Sequence, residues 1–186
     1  GFHVDFSIMP GADYRAAGGP SFLGIDAIPY LAGQNGHPLR EIPMTRNYSG
    51  VLAAYGQQAN TVLNRPTSRR LGVPGILARL NLLNCVPLTA EGVPAQEATA
   101  LVDSMLARGY RLFVLHYHSS SLLPGYTPYT KTEADRDLLV ARIAEIVRHV
   151  IETRGGLPGL PQDGGLAIEA PDAQPSRHAV AGEYAS

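Results

Sequence analysis

Apolar and polar positions alternate strictly at the start of the chain, where Phe2, Val4, Phe6 and Ile8 are separated by His3, Asp5 and Ser7. A period of two predicts a half-buried strand, ended by Met9-Pro10. From residue 11 to about 39 the pattern gives way to Gly/Pro punctuation, including Gly18-Gly19-Pro20, Ile28-Pro29-Tyr30 and Gly33-Gln34-Asn35-Gly36. A loop of that length is uncommon in a compact domain and is either functional or disordered. Its aromatics Tyr14, Phe22 and Tyr30 predict an ordered, packed one. Glu41-Ile42-Pro43-Met44-Thr45 reads as a short extended piece. Residues 49–64 and 74–83 read as helices, the second with Ile76, Leu77, Leu80 and Leu83 at helical spacing.

The second half is more strongly patterned. A helix is predicted from Pro94, with Ala98, Leu101, Val102, Met105 and Leu106 as one apolar stripe and Gly109 as its left-handed stop. A strand follows over residues 110–118, apolar at consecutive positions Leu112, Phe113, Val114 and Leu115. After a Ser/Pro/Gly loop, Thr130 with Glu133 predicts a capping box. The helix it opens runs to about Arg154, with Leu139, Ile143, Ile146, Val147, Val150 and Ile151 inward and Gly155 as its end. Helix, consecutively apolar strand and helix in that order predict an α/β fold, a parallel strand covered by helices in a layered or barrel arrangement. Residues 1–155 form the expected domain; residues 156–186 form a Gly/Pro/Ala-rich tail with at most one short strand near Leu166-Ala167-Ile168 and expected disorder beyond Pro171.

Composition narrows the function classes. The 186 residues suit one domain, the usual size being about 100–200 residues. Fifteen basic against 16 acidic residues, a net charge of −1, provide no field for a nucleic-acid backbone or an anionic membrane. Cys85 is the single cysteine, so no internal disulfide or Cys-x-x-Cys site is available. With 20 glycines and 15 prolines the chain is loop-rich, well above the average of roughly 12% for the two together. It opens on Gly1, with no methionine or lead-in before the first strand, so the expectation is a chain whose beginning is cut. No apolar run approaches the roughly 20 residues needed to span a bilayer, and the expected location is cytoplasmic.

In a parallel α/β sheet, ligands are handled at the C-terminal ends of strands, which is where His116 and His118 fall. Two apart on a strand, they share a face. They could bind a metal, one could act as an acid or base, or both could simply be hydrogen-bonded inside. Ser119, Ser120 and Ser121 follow, but there is no Gly-x-Ser-x-Gly elbow to mark a nucleophile. Asp5 and Asp13 are the acids best placed to reach a pocket, Asp13 also being a natural turn former. The other histidines are scattered, and Arg65, Arg69 and Arg70 read as a solvated face. No phosphate-loop or dinucleotide spacing occurs.

Four separated segments together resemble a known family. His118-Ser119-Ser120-Ser121-Leu122-Leu123-Pro124-Gly125-Tyr126-Thr127-Pro128-Tyr129 is similar to the last motif of a bacterial branch of the polysaccharide deacetylases with the NodB-homology fold, His-Ser-Pro-Ser-Leu-x-Pro-Gly-His-Thr-Pro-Tyr. Val4-Asp5-Phe6-Ser7-Ile8-Met9-Pro10, Asp13-Tyr14-Arg15 with Gly18-Gly19-Pro20-Ser21-Phe22, and Glu41-Ile42-Pro43-Met44-Thr45 with Gly50 resemble successive earlier segments, so the likeness covers about residues 2–154. Ser120 stands where Pro is usual and Tyr126 where His is usual. The resemblance implies a partial deformed (β/α) barrel lacking its N-terminal strands. It also implies a metal-dependent hydrolase that removes N-acetyl groups from a polysaccharide or amino sugar.

In such enzymes an Asp and two His hold a divalent metal, usually zinc, a second Asp is the base, and a late-strand His protonates the departing amine. The motif match makes His118 that acid; Asp5, Asp13, His116 and Ser119 are candidates for substrate-side or supporting positions from their placement along the chain, and His116 has no catalytic counterpart in the motif. The family's Asp-Asp and His-x-x-x-His motifs are absent from residues 1–186, so no metal ligand is assigned and zinc is expected only in a complete enzyme. The chain thus reads as the C-terminal portion of a deacetylase-like protein with an acetylated carbohydrate as partner. Two alternatives stay open: a different metal hydrolase using His116 and His118 with Asp5, and a non-catalytic carbohydrate-binding or interaction module.

Overall fold

The computed structural model describes residues 3–32, 39–63 and 65–160. The Gly33–Gly36 stretch, the short strand expected near Leu166 and the disorder expected beyond Pro171 lie outside the described residues. Strands β1 (Val4–Asp5), β2 (Tyr30–Ala32) and β3 (Leu39–Glu41) form one sheet in the order β1-β3-β2, with β1 parallel and β2 antiparallel to β3. Strands β4 (Arg46–Ser49) and β5 (Asn84–Pro87) form an antiparallel pair. Helices α1 (Gly56–Leu63), α2 (Pro66–Arg70) and α3 (Val73–Arg79) connect β4 to β5. Helices α4 (Ala95–Ala107) and α5 (Glu133–Arg148) follow. Among the described residues no sheet closes into a barrel, and no helix is long and apolar enough to cross a membrane.

The first strand is shorter than its alternation predicts. Past β1 the chain stays alongside β3 and its continuation, the Ile42 N–H donating to the Asp5 carbonyl (2.8 Å) and the Met44 N–H to that of Ile8 (2.9 Å). Three steps on one side match two on the other. The Asp5 carboxylate accepts from the Ser7 N–H (3.1 Å) and hydroxyl (2.9 Å), and this local turn takes up the extra residue and breaks the ladder. The expected extended piece at residues 41–45 is split: Glu41 ends β3, and Arg46 begins β4. In the long loop Tyr14 meets Phe22 edge to face, with centroids 6.1 Å apart, as an ordered loop requires.

The main core lies between β5 with its extension and helices α4 and α5. Val86, Leu88 and Ala90 pack against Ala98, Leu101, Val102 and Met105, the stripe predicted for α4, and against Leu139 and Ile146 of α5. Pro94 is extended and precedes the helix. At the far end the Tyr110 N–H donates to the Met105 carbonyl and the Gly109 N–H to that of Leu106, while Gly109 takes φ +93°, a paired C-cap. The helix expected to run to about Arg154 is α-helical only to Arg148 and continues as a π-helical turn, His149–Thr153. Val147 and Ile151, expected inward, are exposed, because the two together cover the core with a narrower stripe of Leu139, Ile143, Ile146 and Val150. The predicted helix over 74–83 ends at Arg79, and of its apolar set Leu77 and Leu83 pack beside Tyr48 and Ala53 while Ile76 and Leu80 stay exposed.

Two further expectations are corrected. The capping box is Thr132 with Asp135: the Asp135 N–H donates to Thr132 Oγ1 (3.2 Å) and the Thr132 N–H to Asp135 Oδ2 (2.9 Å). Two Thr-x-x-acid frames overlap here, and Thr130 instead buries its hydroxyl against Thr127. Residues 110–118 run extended without forming a regular strand. The Val114 N–H donates to the Thr45 side chain (2.7 Å), which intercepts one ladder position, and the His116 N–H donates to the Leu88 carbonyl (3.2 Å). That second bond sets His118 beside the turn that follows β5.

The β1–β3 neighbourhood carries a testable charge effect. Glu41 is buried and lies in register with Asp5, and its Oε1 accepts from the Ile8 N–H (3.3 Å). Burial first, then the Asp5 charge, push its carboxyl above the usual glutamate value, against the Ile8 bond. The folded state therefore holds the proton more tightly than the unfolded one. Stability is greatest below the unfolded pKa and falls as pH rises through the folded one. Glu41→Gln is expected to raise the thermal midpoint at about pH 7.5 and leave it nearly unchanged at about pH 3, below the unfolded value, where both states are protonated. Equal shifts at both pH values would show that charge is not the cause.

Candidate functional site

Residues 89–92 turn the chain from β5 toward α4, with the Glu91 N–H donating to Thr89 Oγ1 (3.2 Å) and Gly92 at φ +70°. The turn carries Glu91 inward, where it is buried. The extended segment delivers His118 to the same edge, and a 3-10 turn over Ser119–Leu122 folds back beneath it. Glu91 Oε1 accepts from the His118 main-chain N–H (3.0 Å) and from the Ser121 hydroxyl in a very short contact. Glu91 Oε2 lies 2.7 Å from His118 Nδ1. Ser121 Oγ is 3.0 Å from Thr127 Oγ1, which is 3.1 Å from Thr130 Oγ1. The Tyr129 ring lies nearly parallel to the imidazole, at 11° with centroids 6.4 Å apart.

Charge decides the histidine tautomer. Burial alone would raise the Glu91 carboxyl, but hydrogen bonds from the Ser121 hydroxyl and from the His118 amide and ring outweigh it and hold the group below the usual glutamate value. Glu91 is therefore an acceptor at neutral pH, so the proton between it and Nδ1 belongs to the imidazole. The other ring nitrogen, Nε2, is left free to exchange a proton, on a side chain 69% exposed while that of Glu91 is 4% exposed. A buried carboxylate that orients an open imidazole is the arrangement of a general acid or base.

The other sequence-derived candidates are placed elsewhere or in supporting positions. His116 is half-buried behind His118, its Nδ1 without a hydrogen-bond partner. Burial pushes its pKa below the usual value despite the Glu91 charge, which keeps it a neutral ring. Asp5 is taken up by Ser7, as described above. Asp13 holds Arg15 through two bonds of 2.8 Å in an exposed turn, and the Arg15 guanidinium lowers its carboxyl to about 2. Ser119 is exposed at the head of the 3-10 turn, and the buried hydroxyl of the triplet is Ser121.

Glu91 itself is invisible to motif spacing, being 27 residues from its partner. The signal that could have found it is β5: once residues 84–87 are read as a strand, Glu91 is the acid in the loop at its C-terminal end.

The residues present do not fit the divalent metal that the resemblance implies. Among the described residues no group of three or more His, Cys, Asp or Glu side chains is set to hold an ion. Glu91, the acid nearest His118, spends both oxygens on protein donors. Comparison of the chain with protein-family models, with curated proteins and with solved structures finds no match.

Proposed function

We propose that this chain carries the proton-transfer part of an amide hydrolase acting on N-acetylated sugars, in a partial α/β barrel of the polysaccharide deacetylase type. The observation that carries the reading is the buried Glu91 on Nδ1 of an otherwise open His118 imidazole. An amide nitrogen leaves only once protonated, because the amide anion is far too basic to depart. In this reading water has first added to the amide carbonyl; Nε2 of the imidazolium then gives its proton to the nitrogen of that adduct, the C–N bond breaks, and acetate and the free amine leave, while Glu91 holds the ring in place through Nδ1. Such a positioned acid contributes about 10²–10⁴-fold in rate. The substrate class rests on the motif resemblance. It is supported by the exposed Tyr129 ring lying parallel to the His118 imidazole, with the exposed Tyr117 next to His118 in the chain, flat apolar surfaces of the kind pyranose rings rest on.

The test is an NMR titration of the chain with an N-acetylglucosamine tetramer and with its fully deacetylated counterpart. The acetylated oligomer is expected to shift the His118 and Tyr129 resonances, and His118→Ala to weaken its binding several-fold. Binding that maps away from His118 and survives His118→Ala would replace this reading by a carbohydrate-binding module; no binding at all would overturn both.

A further inference from the structure

Each hydroxyl group carries a single proton, so the direction of a hydroxyl chain can be worked out from its end. Glu91 is ionised and can only accept, which commits the Ser121 proton to Oε1. Across the 3.0 Å contact to Thr127, Ser121 must then accept and Thr127 donate. The Thr127 proton being spent, Thr130 donates across the remaining 3.1 Å. All three protons point toward the carboxylate, an aligned chain in which each bond polarises the next. Ser121 and Thr130 are 0% exposed, so bulk water does not compete for these positions. The turn that presents Thr127 and Thr130 is itself closed by a bridge between them and by the Gly125 N–H on the Thr130 carbonyl (2.8 Å).

We infer that Ser121, Thr127 and Thr130 are positioning residues: their hydroxyl chain fixes Glu91 with one oxygen facing His118 Nδ1, and so holds the imidazole in the Nδ1–H tautomer with Nε2 outward. The inference deepens the proton-transfer reading and rests on it for its purpose. Without the Ser121 hydroxyl, Oε1 would keep only the His118 main-chain N–H (3.0 Å), and a carboxylate held on one side alone could rotate about its last side-chain bond, letting the ring exchange its proton between the two nitrogens. With Oε1 clamped from inside the fold, only Nε2 is left to take up or deliver a proton.

The experiment is ¹⁵N NMR of the histidine rings in the full chain, at a pH where the rings are neutral. Wild type is expected to show His118 as a single Nδ1–H tautomer. Thr127→Val, which removes a hydroxyl at nearly constant shape, is expected to collapse the difference between the two nitrogen shifts toward a tautomer average. Thr127→Ser should restore the wild-type pattern, and Ser121→Ala should act as Thr127→Val does, more strongly. A wild-type tautomer pattern retained in folded Thr127→Val overturns the inference, whatever the N-acetylglucosamine oligomer does. If Ser121→Ala does not fold, the Thr127 pair decides alone. Tautomer loss in Thr127→Val with no response of wild type to the oligomer supports the hydroxyl chain and overturns the substrate reading, so the two fail separately.

Discussion

Glu91→Ala is expected to lower stability by about 2–4 kcal/mol and to release the segment after His118, since hydrogen bonds to a charged group are worth about 1.5–3 kcal/mol each. Three donors lose their acceptor: the His118 amide, its ring Nδ1–H and the buried Ser121 hydroxyl. The imidazole is open to water and recovers part of its loss, whereas Ser121 cannot, which keeps the total below the sum of three bonds. The sign of the pH dependence follows from the lowered carboxyl. A folded pKa below the unfolded one makes the stabilisation fully present at neutral pH and lost as pH falls through the ordinary glutamate range toward the folded value. The stability gap between wild type and Glu91→Gln should therefore close in acid. Urea denaturation at about pH 7 and about pH 3.5 measures it; a Glu91→Ala protein as stable as wild type at neutral pH would show that the carboxylate does not hold this loop.

Gly50→Ala should be as damaging, for a steric reason. Gly50 has φ +99°, and a Cβ there would lie 2.7 Å from the Asn81 carbonyl oxygen and 2.8 Å from the Leu82 carbonyl carbon and oxygen. These are main-chain atoms held by the Val51 N–H on Asn81 (3.1 Å) and the Leu52 N–H on Leu82 (2.8 Å), so no side chain can swing away. The expected loss is about 3 kcal/mol or more, combining left-handed strain with overpacking. Gly72 separates the two contributions. Its φ is +67° with nothing within 4 Å of a built Cβ, so Gly72→Ala should cost only the conformational part, about 1–2 kcal/mol. Chemical denaturation of both variants checks this, and equal losses would mean that the approach at Gly50 is not what matters.

Where the physics is local, the chain could be read directly. The α4 stripe needs only helical spacing and one apolar neighbour, and Gly109 needs only a left-handed stop, so both are placed as the pattern implies. Gly155, φ +69°, which follows the π-helical turn His149–Thr153 that continues α5, is of the same kind. Strand β4 was hidden for the opposite reason. Arg46-Asn47-Tyr48-Ser49 has no apolar alternation, and its buried polar groups are satisfied from far along the chain, Arg108 reaching Asn47 Oδ1 (3.2 Å) and the Tyr48 carbonyl (2.7 Å). The overlapping Thr-x-x-acid frames before α5 were undecidable by sequence, because the choice turned on whether Thr130 had a buried partner.

The same division runs through the site. By itself the sequence determined that a histidine would stand at the end of an apolar extended segment, followed by a serine triplet and a Pro-Gly turn, because those features are set by neighbours within a few residues. Only the tertiary structure decided that Glu91 completes the pair, that Ser121 rather than Ser119 is the buried hydroxyl, and that Asp5 and Asp13 bond locally instead. A carboxylate's role depends on which donors surround it and how far it is removed from water. Those are properties of the packing of β5, the His118 segment and the following turn, and no spacing along the chain encodes them.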